Sequence, residues 1–522
     1  MEIKKLPIGI QTFSDIIEQN YLYIDKTKDI YNLISKGGKY FFISRPRRFG
    51  KSLLISTLYE LFSGNRDLFK DLWIYDKIDW KKHPVVHIDF TDLEYETDSL
   101  LKKSIEETLQ RIADEKNIQL TTISYKTKFS ELIKKLSSSG KVVILIDEYD
   151  KPIIDFIQEK ETAFANRKVL KNFYSVLKSS DKYVHFVFLT GVSKFSRVSV
   201  FSGLNNLNDI TIDDRFSTLL GCTRDELLIY FNDRIDDLSR KMSIDKEELL
   251  KQMEKWYNGY SWDGSNFLYN PLSLLNLFSK NRFGNFWFST GTPTFLVNHI
   301  KNREKDISSL ERVEVDESIF ESYDIENLGI LSMLFQTGYL TIKEIKPVGI
   351  RAKYILSYPN EEVKESFLKH FLASYSSDEP GTIGSKILDL GDCIREHNIE
   401  KFFTIIKSIF AAIPSHIFIK EREAYYHTVI YLILELLGMI VQAEVHTNKG
   451  RIDAVVETST DIYLLEFKLG TSGDALSQIE KMKYYERYFS SGKAIHLIGV
   501  GFNIKEKNIA DYEIKRVASA SS

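Results

Sequence analysis

The chain has 522 residues, 43% of them hydrophobic, and a formal net charge of −3 at pH 7. That length suits about three domains with ample core, and the charge balance excludes a global polyanion-binding field, so any nucleic-acid surface must be local. Only two cysteines are present, Cys222 and Cys393, which excludes a disulfide scaffold or a cysteine-based zinc site. The opening Met1-Glu-Ile-Lys-Lys-Leu-Pro has no apolar signal core, and no uninterrupted apolar run approaches membrane-spanning length; a cytoplasmic protein is expected.

In chain order, the run Tyr40-Phe-Phe-Ile-Ser44 predicts a buried strand, and Leu53–Phe62 predicts a helix. Between them lies Arg45-Pro-Arg-Arg-Phe-Gly-Lys-Ser52, in the layout of a phosphate cradle. Backbone N–H groups at the helix start would wrap the phosphates, Lys51 would reach the β/γ oxygens, and the Ser52 hydroxyl would ligate Mg²⁺. Arg45, Arg48, Phe49 and Gly50 complete the expected nucleotide contacts. The pattern G-x-x-x-x-G-K-[ST] wants glycine at position 45, where this chain has arginine, so alone the stretch also reads as a basic surface turn.

Further strands follow at Val85–Phe90, Val142–Ile146 and His185–Gly191, separated by helical patterns at 100–115, 129–136 and 169–177. Such alternation implies right-handed crossovers and a parallel sheet. The strand Val142-Val-Ile-Leu-Ile ends in Asp147-Glu148, and ligands of open α/β sheets bind beyond the carboxyl ends of the strands. Asp147 is therefore assigned to Mg²⁺ and Glu148 to polarising the attacking water. Paired with Gly50-Lys51-Ser52, these acids make ATP or GTP binding the strongest assignment. Thr190 would reach the γ-phosphate or the water. Lys194 and Arg197 in the next loop are weighed as site cations but fit exposed loop charges better.

The middle turns helical, at 225–231, 245–256 and 328–340, with a hairpin over 341–356 around Pro347-Val-Gly349 and another helix over 361–375. It reads as a lid with a winged-helix-like piece or, preferably, as a bridge. A Gly/Pro-bearing loop at 376–384 marks a candidate boundary, and three domains are expected: 1–222, 223–380 and 381–522.

Near the other end, an apolar helix over 424–437 follows Glu421 and Glu423, with a strand over 439–445. Gly450-Arg-Ile-Asp453-Ala-Val-Val-Glu457 and Asp461-Ile-Tyr-Leu-Leu-Glu466-Phe-Lys468 then read as a hairpin. Glu466 and Lys468 are two apart and share a face, where Asp453 can meet them. Two carboxylates and a lysine make a hard-oxygen Mg²⁺ site suited to phosphodiester hydrolysis. The alternative is a charged outer face on which Lys468 merely pairs with Glu466. A helix over 474–488 and a strand over 494–500 close the unit.

Ser44–Ser52, Leu145-Ile-Asp-Glu-Tyr-Asp150 and Thr190–Arg197 resemble the AAA-ATPase-like family of bacterial proteins, P-loop ATPases with an additional strand and a catalytic glutamate. Family members often carry arginine where the first glycine is expected. The likeness extends to Ile10-Gln-Thr-Phe13, Tyr23-Ile-Asp-Lys26, Trp256-Tyr-Asn-Gly-Tyr260, Tyr269-Asn-Pro271 and Thr290-Gly-Thr-Pro-Thr-Phe295. The C-terminal order α-β-β-β-α-β with D-x₁₂-E-x-K resembles the PD-(D/E)xK nuclease superfamily, a restriction-endonuclease-like α/β fold, and more narrowly the nuclease-like domain fused to that ATPase. The resemblance implies Asp453 and Glu466 as metal ligands and Lys468 as the cation steering water. It also implies Glu423 as the helical acid, with Glu421 competing, and Gln478 as an accessory residue. The expected cofactors are ATP and Mg²⁺, and the expected partner is nucleic acid, DNA ahead of RNA. A homo-oligomer stays open. The resulting function is an ATPase coupled to a metal-dependent nuclease; the other reading is a nucleotide-dependent switch whose C-terminal domain binds nucleic acid or a protein without cutting.

Overall fold

The computed structural model describes residues 4–35, 38–194, 206–288, 297, 300, 307–320, 329–376, 378–413, 423–441, 444–446, 454–503 and 505–517. The chain divides into two compact units, one formed by 1–292 with 310–363 and the other by 293–309 with 364–522.

The first unit is built on a parallel sheet of β1 (Tyr40–Ser44), β2 (Val85–Asp89), β3 (Val142–Asp147), β4 (Val184–Gly191) and the two-residue β5 (Asn208–Asp209). The spatial order is β2-β3-β4-β1-β5. The strand after the Asp-Glu pair thus lies between that pair's strand and the strand that leads into the phosphate loop. β1 and β3 are buried along their whole length, which is why they read as continuous apolar runs rather than alternating ones. Helices α1 (Phe13–Glu18) and α2 (Thr27–Ser35) precede β1, and α3 (Lys51–Phe62) follows the loop. The crossovers carry α4 (Asp98–Glu115), α5 (Tyr125–Leu136), the short α6 (Lys151–Ile154) and α7 (Lys160–Ser179). Phe41, Ile43, Leu54, Leu58, Val143, Leu145 and Phe188 form one core between β1, β3, β4 and α3.

A second apolar cluster joins α8 (Arg224–Met242), α9 (Lys246–Tyr257) and α10 (Pro271–Lys280). The starts of these helices are capped by side chains, and at α10 the cap falls on the family-like Tyr269-Asn-Pro271. Thr223 and Glu226 form a reciprocal capping box on α8. Asn270 caps α10 ahead of Pro271, while Tyr269 exchanges two backbone hydrogen bonds with Cys222. The expected helix over 328–340 is shorter, Ile330–Thr337, stopped by Gly338 at φ 91°. A three-stranded sheet of β6 (Val313–Val315), β8 (Arg351–Ser357) and β7 (Thr341–Val348) completes this part.

In the second unit, helices Pro380–Arg395, Ile399–Ala411 and Glu423–Val441 accompany a mixed sheet. Its order is β13-β12-β11-β10-β9, from Asn508–Val517, Ala494–Asn503, Asp461–Leu469, Ala454–Glu457 and Glu444–His446 respectively. Three expectations are corrected. Pro380 sits in the first turn of a helix, so the boundary signal at 376–384 is largely a helix start. The strand expected over 439–445 is helix as far as Val441, because the apolar run continues the buried helix before it. The helix expected over 474–488 spans Ser472–Met482 and ends where Lys483 turns left-handed at φ 52°. The terminal strand β13 and the helices Pro380–Arg395 and Ile399–Ala411 were not foreseen.

Candidate functional site

At the end of β1 the Ser44 amide donates to Thr211 Oγ1 at 3.0 Å and its hydroxyl to the Val192 carbonyl at 2.6 Å. The chain then turns through Arg48 at φ 68° and Gly50 at φ 90°, the latter being the N-cap of α3. Left-handed geometry at Gly50 lets the backbone fold back over the helix start without a Cβ penalty. Lys51, 4% exposed, lies 3.2 Å from the carbonyls of both Arg45 and Pro46 and 3.3 Å from Glu148 Oε1. Its ammonium thus bridges the loop and the end of β3. Ser52 is the second residue of α3 and partly exposed.

Because β4 lies between β1 and β3, Thr190 falls next to Asp147 and donates its hydroxyl to Asp147 Oδ1. The same oxygen accepts the Glu148 amide at 3.0 Å, and Asp147 is 1% exposed. Glu148 itself sits at φ 50°. A non-glycine residue held left-handed at the end of a central strand, beside Lys51, is the kind of local strain that clusters at functional sites. Asp150 is wholly buried and ties the β4 loop to this turn, accepting from the Ser193 amide at 2.6 Å and its hydroxyl at 2.7 Å. Burial, then the neighbouring Glu148 charge, push its carboxyl up to about 6.

Arg45 and Phe49 face inward. The wholly buried Arg45 guanidinium donates to the Ser44 and Thr211 carbonyls at 2.9 and 2.7 Å and lies 3.9 Å over the Trp262 ring. Burial lowers its pKa to about 9. Phe49 packs edge-on against Tyr260 and Trp262, with centroids 4.7 and 5.4 Å away. The Trp287 indole donates to the Arg47 carbonyl at 3.0 Å, and its backbone amide is held by the buried Glu362 carboxylate at 2.6 Å. The middle region therefore grips the phosphate loop through Tyr260, Trp262 and Trp287, a role that no sequence spacing announces. Arg48 is exposed on the loop. Lys194 pairs with Asp209 at 2.5 Å, whereas Arg197 and the Thr290–Phe295 stretch lie outside the described residues.

Gly50 also lines an apolar cavity of about 110 Å³, together with Tyr23, Ile24, Leu53, Leu220 and Leu274 among others. The Tyr23–Lys26 segment is fastened beside it. Lys26 pairs with Glu226 at 2.7 Å, and the Asp25 amide donates to the Tyr230 hydroxyl at 3.2 Å.

In the second unit Glu466 is 4% exposed on β11, and the Gln478 amide donates to its Oε1. Its parallel neighbour on β12 is Gly499. A Cβ at Gly499 would stand 2.3 Å from the Ser472 carbonyl, so a bare backbone there allows the helix bearing Gln478 to lie close over the sheet. Lys468 is two residues along β11 and partly exposed. Ala454, the first residue of β10, pairs with Leu465. Asp453 and Glu421 lie outside the described residues, and Glu423 is the first residue of its helix. Among the described residues no three His, Cys, Asp or Glu side chains are grouped to hold a metal. At the other end of β11, Asp461 accepts from His496 Nε2 at 2.8 Å, and His397 Nδ1 lies 2.9 Å from the Tyr463 hydroxyl; sequence reasoning missed this cluster, whose members are far apart along the chain. Among the described residues no helix is long and apolar enough to cross a membrane.

Comparison with known proteins finds a match for each of the two regions. A family model described as a predicted AAA-ATPase matches residues 7–201, and one for the PD-(D/E)XK nuclease superfamily matches 421–512. A protein of Azotobacter chroococcum mcd 1, named "Uncharacterized protein in vnfD 5'region", is 39% identical over 526 residues, covering 99% of each chain. The chain belongs to the same family as this relative and carries, in one chain, a predicted AAA-ATPase domain and a PD-(D/E)XK nuclease superfamily domain. A nucleotide-binding and nuclease-like role follows at that level.

Proposed function

We propose that the protein binds and hydrolyses ATP at the start of α3 and couples this to metal-dependent cleavage of nucleic acid by the C-terminal sheet. The observation that carries the first half is the network across β1, β3 and β4: Lys51 against Glu148, and Thr190 against Asp147. In this reading the α3 N-terminus and Lys51 hold the phosphates. The Arg48 backbone follows the same arch, and the apolar cavity beside Gly50 takes the base. Glu148 orients water for attack on the γ-phosphorus, and the Thr190 hydroxyl holds Asp147 through its Oδ1, leaving the other oxygen to the cation.

The donor set fits a hard divalent cation, with a hydroxyl and a buried carboxylate at Ser52 and Asp147. Mg²⁺ bound there supplies charge neutralisation to the phosphates. In the C-terminal sheet, Glu466 and Asp453 would hold a second Mg²⁺, with Glu423 as the helical acid. Gln478 keeps Glu466 in its rotamer, and Lys468 steers a water toward the phosphorus.

The test is nicking of supercoiled plasmid in Mg²⁺ or Mn²⁺, with and without ATP. Asp453→Ala is expected to remove nicking while ATP hydrolysis continues. Nicking that persists in Asp453→Ala would sink the assignment. ATP-dependent DNA binding without nicking in the wild type would establish the switch instead.

A further inference from the structure

We propose that the β7–β8 hairpin docks double-stranded nucleic acid, its apolar tip set into a groove and its basic face on the phosphates. This rests on nucleic acid being the substrate.

The strands run antiparallel to a two-residue turn, Gly349-Ile350, with Val348 paired to Arg351. Glycine at the first turn position, φ 62°, gives the tight reversal that keeps the ribbon narrow to its end. Ile350 is 103% exposed and Val348 57%. Neither packs on the core, so folding stability does not explain two large apolar residues there.

Beneath the tip two cations face each other across the ladder. Lys346 lies directly opposite Lys353 in the ladder. Like charges at such a pair repel, and a polyanion laid over them relieves the repulsion. Val348 is two residues from Lys346, and Arg351 two from Lys353, so all four side chains share one face. Between Thr341 and Ser357 there are four cations and one carboxylate, Glu344, in a chain whose overall charge is −3. One of those cations, Lys343, turns inward to the Pro359 carbonyl at 2.7 Å. Of the three outward ones, Lys353 pairs with Glu314 at 2.8 Å, Lys346 lies 3.6 Å from Glu344, and Arg351 has the Asp316 charge nearby.

A duplex fits this surface better than a single strand. Single-strand sites stack bases on exposed aromatic rings, whereas the hairpin's one aromatic residue, Tyr354, is 9% exposed. Apolar wedges flanked by cations are instead how proteins enter and pry a duplex groove.

Fluorescence anisotropy of the full chain with a short labelled duplex tests this. Lys346→Ala/Arg351→Ala/Lys353→Ala is expected to weaken duplex binding about tenfold or more. It should also flatten the dependence of log Kd on log salt by about two to three. Val348→Ser/Ile350→Ser is expected to weaken binding several-fold with the salt slope unchanged. These positions lie on the exposed outer half of the hairpin, and unchanged ATP hydrolysis verifies folding. Wild-type affinity in both variants overturns the proposal, as does wild-type preference for a single strand of equal length or for anionic lipid vesicles over duplex. If nicking occurs while both variants bind normally, only the hairpin assignment fails. If the variants lose duplex binding and nicking never occurs, the hairpin stands and the nuclease reading fails.

Discussion

At the phosphate loop, the groups that matter are brought together from distant parts of the chain. Lys51 meets Glu148, Asp147 meets Thr190, and Arg45 lies over Trp262. On the C-terminal sheet the corresponding contact is local: Gln478 reaches Glu466 from the helix that immediately follows the strand, and Lys468 is two residues along. The first site is a network stretched over a fold, and damage anywhere in the network should reach it. The second is a short motif on one hairpin and one helix, whose function should depend on few side chains.

The largest expected effect is at the loop cation. Lys51→Ala should reduce ATP binding by about a hundredfold or more, measured by calorimetry, because the ammonium facing the β/γ oxygens is lost. Glu148→Gln should keep binding and slow turnover by about a hundredfold or more, since only the group that orients water changes. Equal hydrolysis by Lys51→Ala and wild type would break the assignment of this site. Trp262→Ala, remote from the phosphates, sharpens the network argument. It should lower stability by about 3 kcal/mol in denaturant unfolding, because a buried ring is deleted and the Arg45 charge loses its cover. Nucleotide affinity should fall with it, whereas Asp453-dependent cleavage measured without ATP should not.

The smallest effect is a pH dependence away from either site. His185 stacks on His83 with centroids 4.1 Å apart. Although His185 is exposed at one face, partial desolvation against the His83 and Phe62 rings, then the charges of His83 and Lys141, lower its pKa from 6.5 to about 4. The folded ring stays neutral where the unfolded ring takes up a proton. The contribution to stability is therefore intact above pH 6.5 and lost progressively as pH falls toward 4. Thermal melts across that window should show the decline, and His185→Phe should flatten it.

Much of this was legible because strands buried on both faces are continuous apolar runs: β1, β3 and β4 stood out, with the Gly-Lys-Ser and Asp-Glu residues at their ends. The C-terminal hairpin was legible for the same local reason, as alternation closed by a short turn. What stayed hidden depends on tertiary contact. Arg45 looks like a phosphate ligand in a linear motif, and only the fold brings Trp262 beneath it. The helix ending at Val441 overran a predicted strand because an apolar run has no period with which to choose between the two. β13 alternates weakly, and its charges mark an outer strand rather than a core one.

The position of β4 also sets a timetable for synthesis. Among the described residues β1 pairs with β4 and β5, so a strand completed at Ser44 stays unpaired until the chain beyond Val184 has emerged. At roughly 5–20 residues per second that interval is on the order of ten seconds or more. For that time Tyr40-Phe-Phe-Ile is an uncharged, β-prone segment with nothing to pair with, the kind that nucleates aggregation. The strand order that brings Thr190 to Asp147 therefore leaves this segment unpaired through much of translation, and slowing elongation between β1 and β4 should lower the soluble yield.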